Sequence, residues 1–116
     1  MNELAIDPSI LARLEKLGGK KLKQDLIQMY LDKRPDKVAG IRDGISTTDY
    51  DAIERFAHTL ISSAGNLGGM LVSQLSAKLE LAAMEKDLGQ ATSLFPELES
   101  AEESLAAYLK NEMEKS

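Results

Sequence analysis

The 116-residue sequence predicts an all-α fold: an antiparallel four-helix bundle with a short additional N-terminal helix. Three observations point there. Apolar residues recur at three- and four-residue spacing from Ile10 to Leu109. Strand signals are nearly absent, with five aromatics in the chain and almost no polar/apolar alternation. The periodic stretches are separated only by brief turns rich in Gly, Asp, Ser and Thr.

The first helix is expected over about 8 to 17. Asp7 is placed to cap it, Pro8 suits its first position, and Ile10, Leu11, Leu14 and Leu17 form its stripe before Gly18-Gly19 stop it. A second stripe runs through Leu22, Leu26, Met29, Tyr30, Val38, Ile41 and Ile45, with Met29 and Tyr30 read as core. Pro35 falls inside it, and its missing N–H predicts a kink or brief break there. The turn Ser46 to Asp49 follows, where Thr48 with Asp51 three residues on resembles a capping arrangement for the third helix.

That helix carries Ile53, Phe56, Ala57, Leu60, Ala64 and Leu67 inward, and Gly65, Gly68 and Gly69 mark its end. The fourth uses Leu71, Leu75, Leu79 and Ala82 and ends near 87 to 89. The last spans about 90 to 113 on Leu94, Leu98, Ala101, Leu105, Tyr108 and Leu109, with Pro96 inside it as a kink or a start. No repeat or linker divides the chain, so residues 1–116 read as one domain.

Nineteen acidic against fourteen basic residues give a net charge of −5, which argues against nucleic acid as a ligand. The bases concentrate in the first half, from Lys16 to Arg42, either as solvated helix faces or as a surface for an acidic protein partner. The absence of cysteine excludes disulfides and thiolate metal sites, and a cytoplasmic location is the expectation. Met1 to Pro8 lack the features of a signal peptide, and no stretch approaches the roughly 20 apolar residues of a membrane span.

The sole histidine, His58, stands out. At about 100° per residue it points roughly 150° from the centre of the third stripe, so it faces solvent, with Asp51, Glu54, Ile61, Ser62 and Gly65 as the expected neighbours. A neutral imidazole there is a usable nucleophile near pH 7, and small neighbours would let a bulky partner approach. Gly65 admits two explanations: close approach of another chain, or fraying at a helix end near Gly68. Glu54 is placed to orient the second ring nitrogen or is simply solvated.

The string Ala57-His58-Thr59-Leu60, the small Ser62 and Ser63, Asn66 and Gly68 resemble the signature of the histidine-phosphotransfer (HPt) domain family, A-H-x-L-K-G-S-[SA]-x-N-x-G. Leu75 to Ala83 is similar to that family's following helix, and helix order and length extend the resemblance over nearly the whole chain. Two positions depart: Ile61 stands where the family has lysine, and Ser62 where it has glycine. Serine keeps the approach open, whereas isoleucine removes a cation beside the phosphoryl group. Arg55, or a Lys or Arg of the second helix, is the candidate replacement, and an ordinary ion pair with Asp51 or Glu54 is the other role for Arg55.

The resemblance implies a phosphoryl carrier with no catalytic activity of its own. His58 would accept a phosphoryl group through Nε2 from a receiver-domain aspartate and pass it to a second receiver. The receiver would supply Mg²⁺, so neither cofactor nor metal site is expected in this chain. A hybrid sensor histidine kinase is the other partner implied. Glu54, Arg55, Ile61, Ser62 and Gly65 would form the docking face, with Ile61 either an apolar docking contact or a flank of the core stripe. A monomer is expected because the apolar stripes are narrow. The alternatives are a degenerate HPt-like bundle that binds a receiver without being phosphorylated and an unrelated helical interaction protein.

Overall fold

The computed structural model describes residues 5–115, so the reading of Met1 to Leu4 lies outside the described residues. Four helices are present, α1 (Pro8–Thr47), α2 (Tyr50–Gly65), α3 (Met70–Met84) and α4 (Leu88–Glu114), and there is no strand among the described residues. Helix α1 packs on α2 and α4, and α3 packs on the same two, which closes a four-membered ring around one core.

The caps explain most boundaries. Asp7 accepts from the Ser9 N–H, Asp49 from Ala52 and Asp87 from Gln90, each satisfying a donor that the first turn of a helix leaves free. The N-cap of α2 is thus Asp49 and not Thr48. Thr48 instead adopts the left-handed conformation, φ 55°, and closes α1 through its N–H.

The short N-terminal helix expected over 8 to 17 is not set apart as an element of its own. It is the first part of α1, whose single non-helical residue is Gly19 at φ 81°, ψ −179°. That break matters to the shape. Forty residues of straight helix would measure about 60 Å, yet the longest molecular extent is 43 Å. The segment ahead of Gly19 therefore turns back over the bundle, burying Leu11 and pairing Glu15 with Lys23 at 2.9 Å. Its start is also pinned to the α2–α3 turn: the Asp7 N–H donates to the Gly68 carbonyl and the Leu71 N–H to the Ala5 carbonyl.

At Pro35 the expected break does not occur; the dihedrals stay helical. The residue lies on the exposed side, where water can take the carbonyl that its missing N–H leaves unpaired. Pro96 is likewise carried inside α4 without interruption.

The core is built from Ile27, Tyr30 and Ile41 of α1, Ile53, Ala57, Leu60 and Ala64 of α2, Val72, Leu75, Leu79 and Ala82 of α3, and Leu94, Leu98, Leu105 and Leu109 of α4. Full burial of each large aliphatic contributes on the order of 1.5–3 kcal/mol before ordering costs. Met29, read as core, is 54% exposed, and Leu17 and Leu71, also placed on apolar stripes, are exposed as well. Close approach sets the register of α1 on α2: a Cβ on Gly44 would overlap Ile53, and one on Gly40 would overlap the Phe56 ring.

Candidate functional site

Helix α2 turns one face to the core through Ile53, Ala57, Leu60 and Ala64, which leaves the intervening positions for its neighbours and for solvent. His58 lies on that outer side with its side chain 72% exposed. The ring is nevertheless held. Its Nδ1 lies 2.7 Å from Oε2 of Glu80, on α3. An ionised carboxylate can only accept, so Nδ1 carries the proton and Nε2 keeps a free lone pair. Nε2 has no hydrogen-bond partner among the described residues.

Glu80 is the ring partner that sequence reading missed: it, and not Glu54, lies within hydrogen-bond distance of Nδ1. The α2–α3 turn at Gly68-Gly69 folds the two helices into an antiparallel hairpin, so positions similarly far from the turn come face to face. Counting outward from the two glycines is the signal that leads from His58 to Glu80.

The histidine lies in an open hollow of about 390 Å3 lined by Asp51, Glu54, Arg55, His58, Thr59 and Glu80. Glu54 is therefore beside the ring. Arg55 lines the same hollow, with its guanidinium over the Phe56 ring at 5.0 Å from the centroid. Neither Asp51 nor Glu54 forms an ion pair with it.

The remaining expected neighbours are divided between the two sides of α2. Ser62 is exposed and lines a second groove, of about 590 Å3, to which α1 contributes Met29, Lys33 and Lys37. Ile61 is half-buried, and its backbone carbonyl accepts from the Ser73 hydroxyl of α3 at 2.9 Å. Gly65 also turns to α3: a Cβ there would sit 3.4 Å from Ser73 Oγ, an ordinary contact, so packing against α3 does not by itself demand glycine. The arrangement thus gives α2 an acidic flank at α3 and a basic flank at α1.

Among the described residues no group of three or more His, Cys, Asp or Glu side chains is placed to hold a metal ion. No helix is long and apolar enough to cross a membrane. What this geometry can do chemically is present one tautomerically fixed imidazole to an electrophile brought by another molecule.

Comparison with known proteins bears on the same helices. The family model for the Hpt domain matches residues 25–115, which include α2, α3 and α4 entire. The fold is similar to the crystal structure of histidine-containing phosphotransfer protein B from Pseudomonas aeruginosa PAO1, with a TM-score of 0.91 over 99% of each chain at 18% sequence identity. At that identity the likeness speaks for the fold. Among curated proteins, none matches the sequence significantly.

Proposed function

The chain belongs to the Hpt domain family, and on that premise we propose that His58 is the phosphoryl-carrying residue of a histidine phosphotransfer protein in phosphorelay signalling. The observation that carries this reading is the exposed imidazole whose Nδ1 is committed to Glu80 and whose Nε2 is not committed to anything.

The step is a displacement at phosphorus. The Nε2 lone pair attacks the acyl phosphate of a receiver-domain aspartate, the Nε2–P bond forms, and the P–O bond breaks with its electron pair leaving on the aspartyl carboxylate. Nδ1 keeps its proton, so the phosphorylated ring is cationic and the Glu80 carboxylate compensates that charge at 2.7 Å. A second receiver reverses these bond changes. Positioning and charge compensation do the work, with Mg²⁺ supplied by the receiver. Glu54, Arg55, Ile61, Ser62 and Gly65 form the surface against which the receiver settles. The protein is a carrier rather than an independent catalyst, acts as a cytoplasmic monomer on one domain, residues 1–116, and takes its phosphoryl group from a receiver such as that of a hybrid sensor kinase. The segment over about 8 to 17 acts as a short additional helix, set off from the rest of α1 by the non-helical Gly19.

Incubation with a phosphorylated receiver should transfer an acid-labile, base-stable label to the wild type and none to His58→Gln. A second reading rests on Ile61, which leaves the site without the family's lysine: the bundle would then bind a receiver without being phosphorylated. Tight receiver binding with no label on the wild type would establish it in place of the first.

A further inference from the structure

The site as described compensates only one of the two charges that phosphorylation creates. Glu80 answers the cationic ring. Nothing in the hollow of His58 answers the phosphoryl oxygens, because the hollow carries three carboxylates and its only cation, Arg55, lies over a phenyl ring. Any group held on His58 therefore needs positive charge from outside that hollow.

The α1 flank supplies it. Gly44 faces Ile53 and Gly40 faces Phe56 across the α1–α2 contact. Continuing that antiparallel register by one turn and then another puts Lys37 level with Thr59 and Lys33 level with Ser63. Both lysines line the groove that α1 forms with α2, and Thr59 lines this groove as well as the hollow of His58, so the two depressions adjoin. No carboxylate lines the groove.

Neither lysine has an ion-pair partner among the described residues, whereas Lys21, Lys23, Arg34 and Arg42 on the same helix each have a carboxylate within 3.0 Å. Two ammonium groups one helical turn apart, unneutralised and repelling one another, are unfavourable in the free protein. Burial and then the neighbouring Lys33 charge hold the Lys37 ammonium below its ordinary value. The Ser63 hydroxyl is buried at the groove wall with no hydrogen-bond partner. Positive charge and a free donor thus converge on a groove that contains no anion of its own.

We propose that Lys33 and Lys37 are an anion seat built from α1 that holds the phosphoryl oxygens on His58, in place of the cation that Ile61 cannot provide. Lys37, level with the residue after the histidine, is the nearer contact, and Lys33 adds charge along the groove. The two are positioning residues: they do not exchange bonds with phosphorus. The inference rests on His58 being phosphorylated, and its test separates the two claims.

Wild type, His58→Gln, Lys33→Gln/Lys37→Gln and the same double variant carrying Ile61→Lys are each exposed to phosphoramidate and, separately, to a phosphorylated receiver. Phosphohistidine is followed by ³¹P NMR and its lifetime by dilution. The double variant should form phosphohistidine roughly tenfold more slowly, as expected for loss of a charge-assisted contact at a partly exposed site. The phosphoryl resonance should titrate at higher pH in that variant, and Ile61→Lys should restore both rate and titration. Equal phosphorylation of wild type and double variant, with unchanged titration, overturns the anion seat and leaves the carrier function standing. Failure of the wild type to be labelled by either donor overturns both. A slowed double variant that Ile61→Lys does not rescue assigns the lysines to receiver docking or to the fold and also overturns the seat.

Discussion

Glu102 and Glu80 each hold a nitrogen-bearing side chain of a neighbouring helix, at 2.6 and 2.7 Å, yet Glu102 is 1% exposed and the Glu80 side chain is 23% exposed. Glu102, on α4, accepts from Arg34 Nε on one oxygen and from the Tyr30 hydroxyl on the other, tying α4 to α1. Burial, then the charge of Glu102, drives the Tyr30 phenol far above its usual range, so it stays a donor at every pH the protein meets. With both oxygens of a buried carboxylate satisfied, this cluster has little left to offer another molecule. Glu80 has one partner and water at hand, and that partner keeps a free nitrogen. The same pairing therefore serves the fold in one place and, in the function proposed, the chemistry in the other, and burial decides which.

Five experiments break or sharpen that contrast. The largest effect is expected from His58→Gln, which should abolish phosphoryl labelling while leaving the thermal midpoint within a degree or so of wild type, since an exposed side chain contributes little to folding. Glu102→Ala should do the reverse. Removing the carboxylate leaves Arg34 and Tyr30 uncompensated, and chemical denaturation should register a loss of about 3–5 kcal/mol, while any folded protein still labels. Glu80→Gln should be intermediate: a neutral amide still holds the ring but cannot answer its charge, so labelling should fall by roughly tenfold with the stability change below about 1 kcal/mol.

A pH series reads the hinge segment. The Lys23 hydrogen bond and charge hold the Glu15 carboxyl below its ordinary 4.5. Its contribution is therefore fully present above 4.5, and it is lost as pH falls through the lower folded value. Glu15→Gln should flatten the acid limb of the stability curve and lower stability at neutrality, where the contribution is present and the buried Lys23 ammonium loses its carboxylate. The smallest effect is at Ser76, whose buried hydroxyl has no partner; Ser76→Ala should be neutral to slightly stabilising, by about 0–1 kcal/mol.

The same contrast separates what could be read from the residues from what could not. The outward position of His58 follows from the spacing of Ile53, Ala57, Leu60 and Ala64, a local property, and the structure has it facing solvent. Caps at Asp7 and the turn at Gly68-Gly69 were likewise local signals. Glu80 and Glu102 are long-range partners, 22 and 68 to 72 residues from the side chains they hold, and no periodicity within one helix points to them. Thr48 was misread because two polar residues in succession could cap α2, and the need to close α1 with a left-handed residue decided between them. Met29 sits on the second stripe by spacing but borders the α1–α2 groove, where that stripe meets solvent instead of another helix.

The hairpin that joins the imidazole to its carboxylate is tied down on both sides of its turn. Both residues ride on packed helices, and the turn between them is fastened by backbone bonds, including the one from Asp7. In the relay proposed, a donor and an acceptor therefore meet the same landing ground. Traffic through such a carrier runs downhill in whichever sense the balance of charged and discharged receivers dictates, so it drains as readily as it fills.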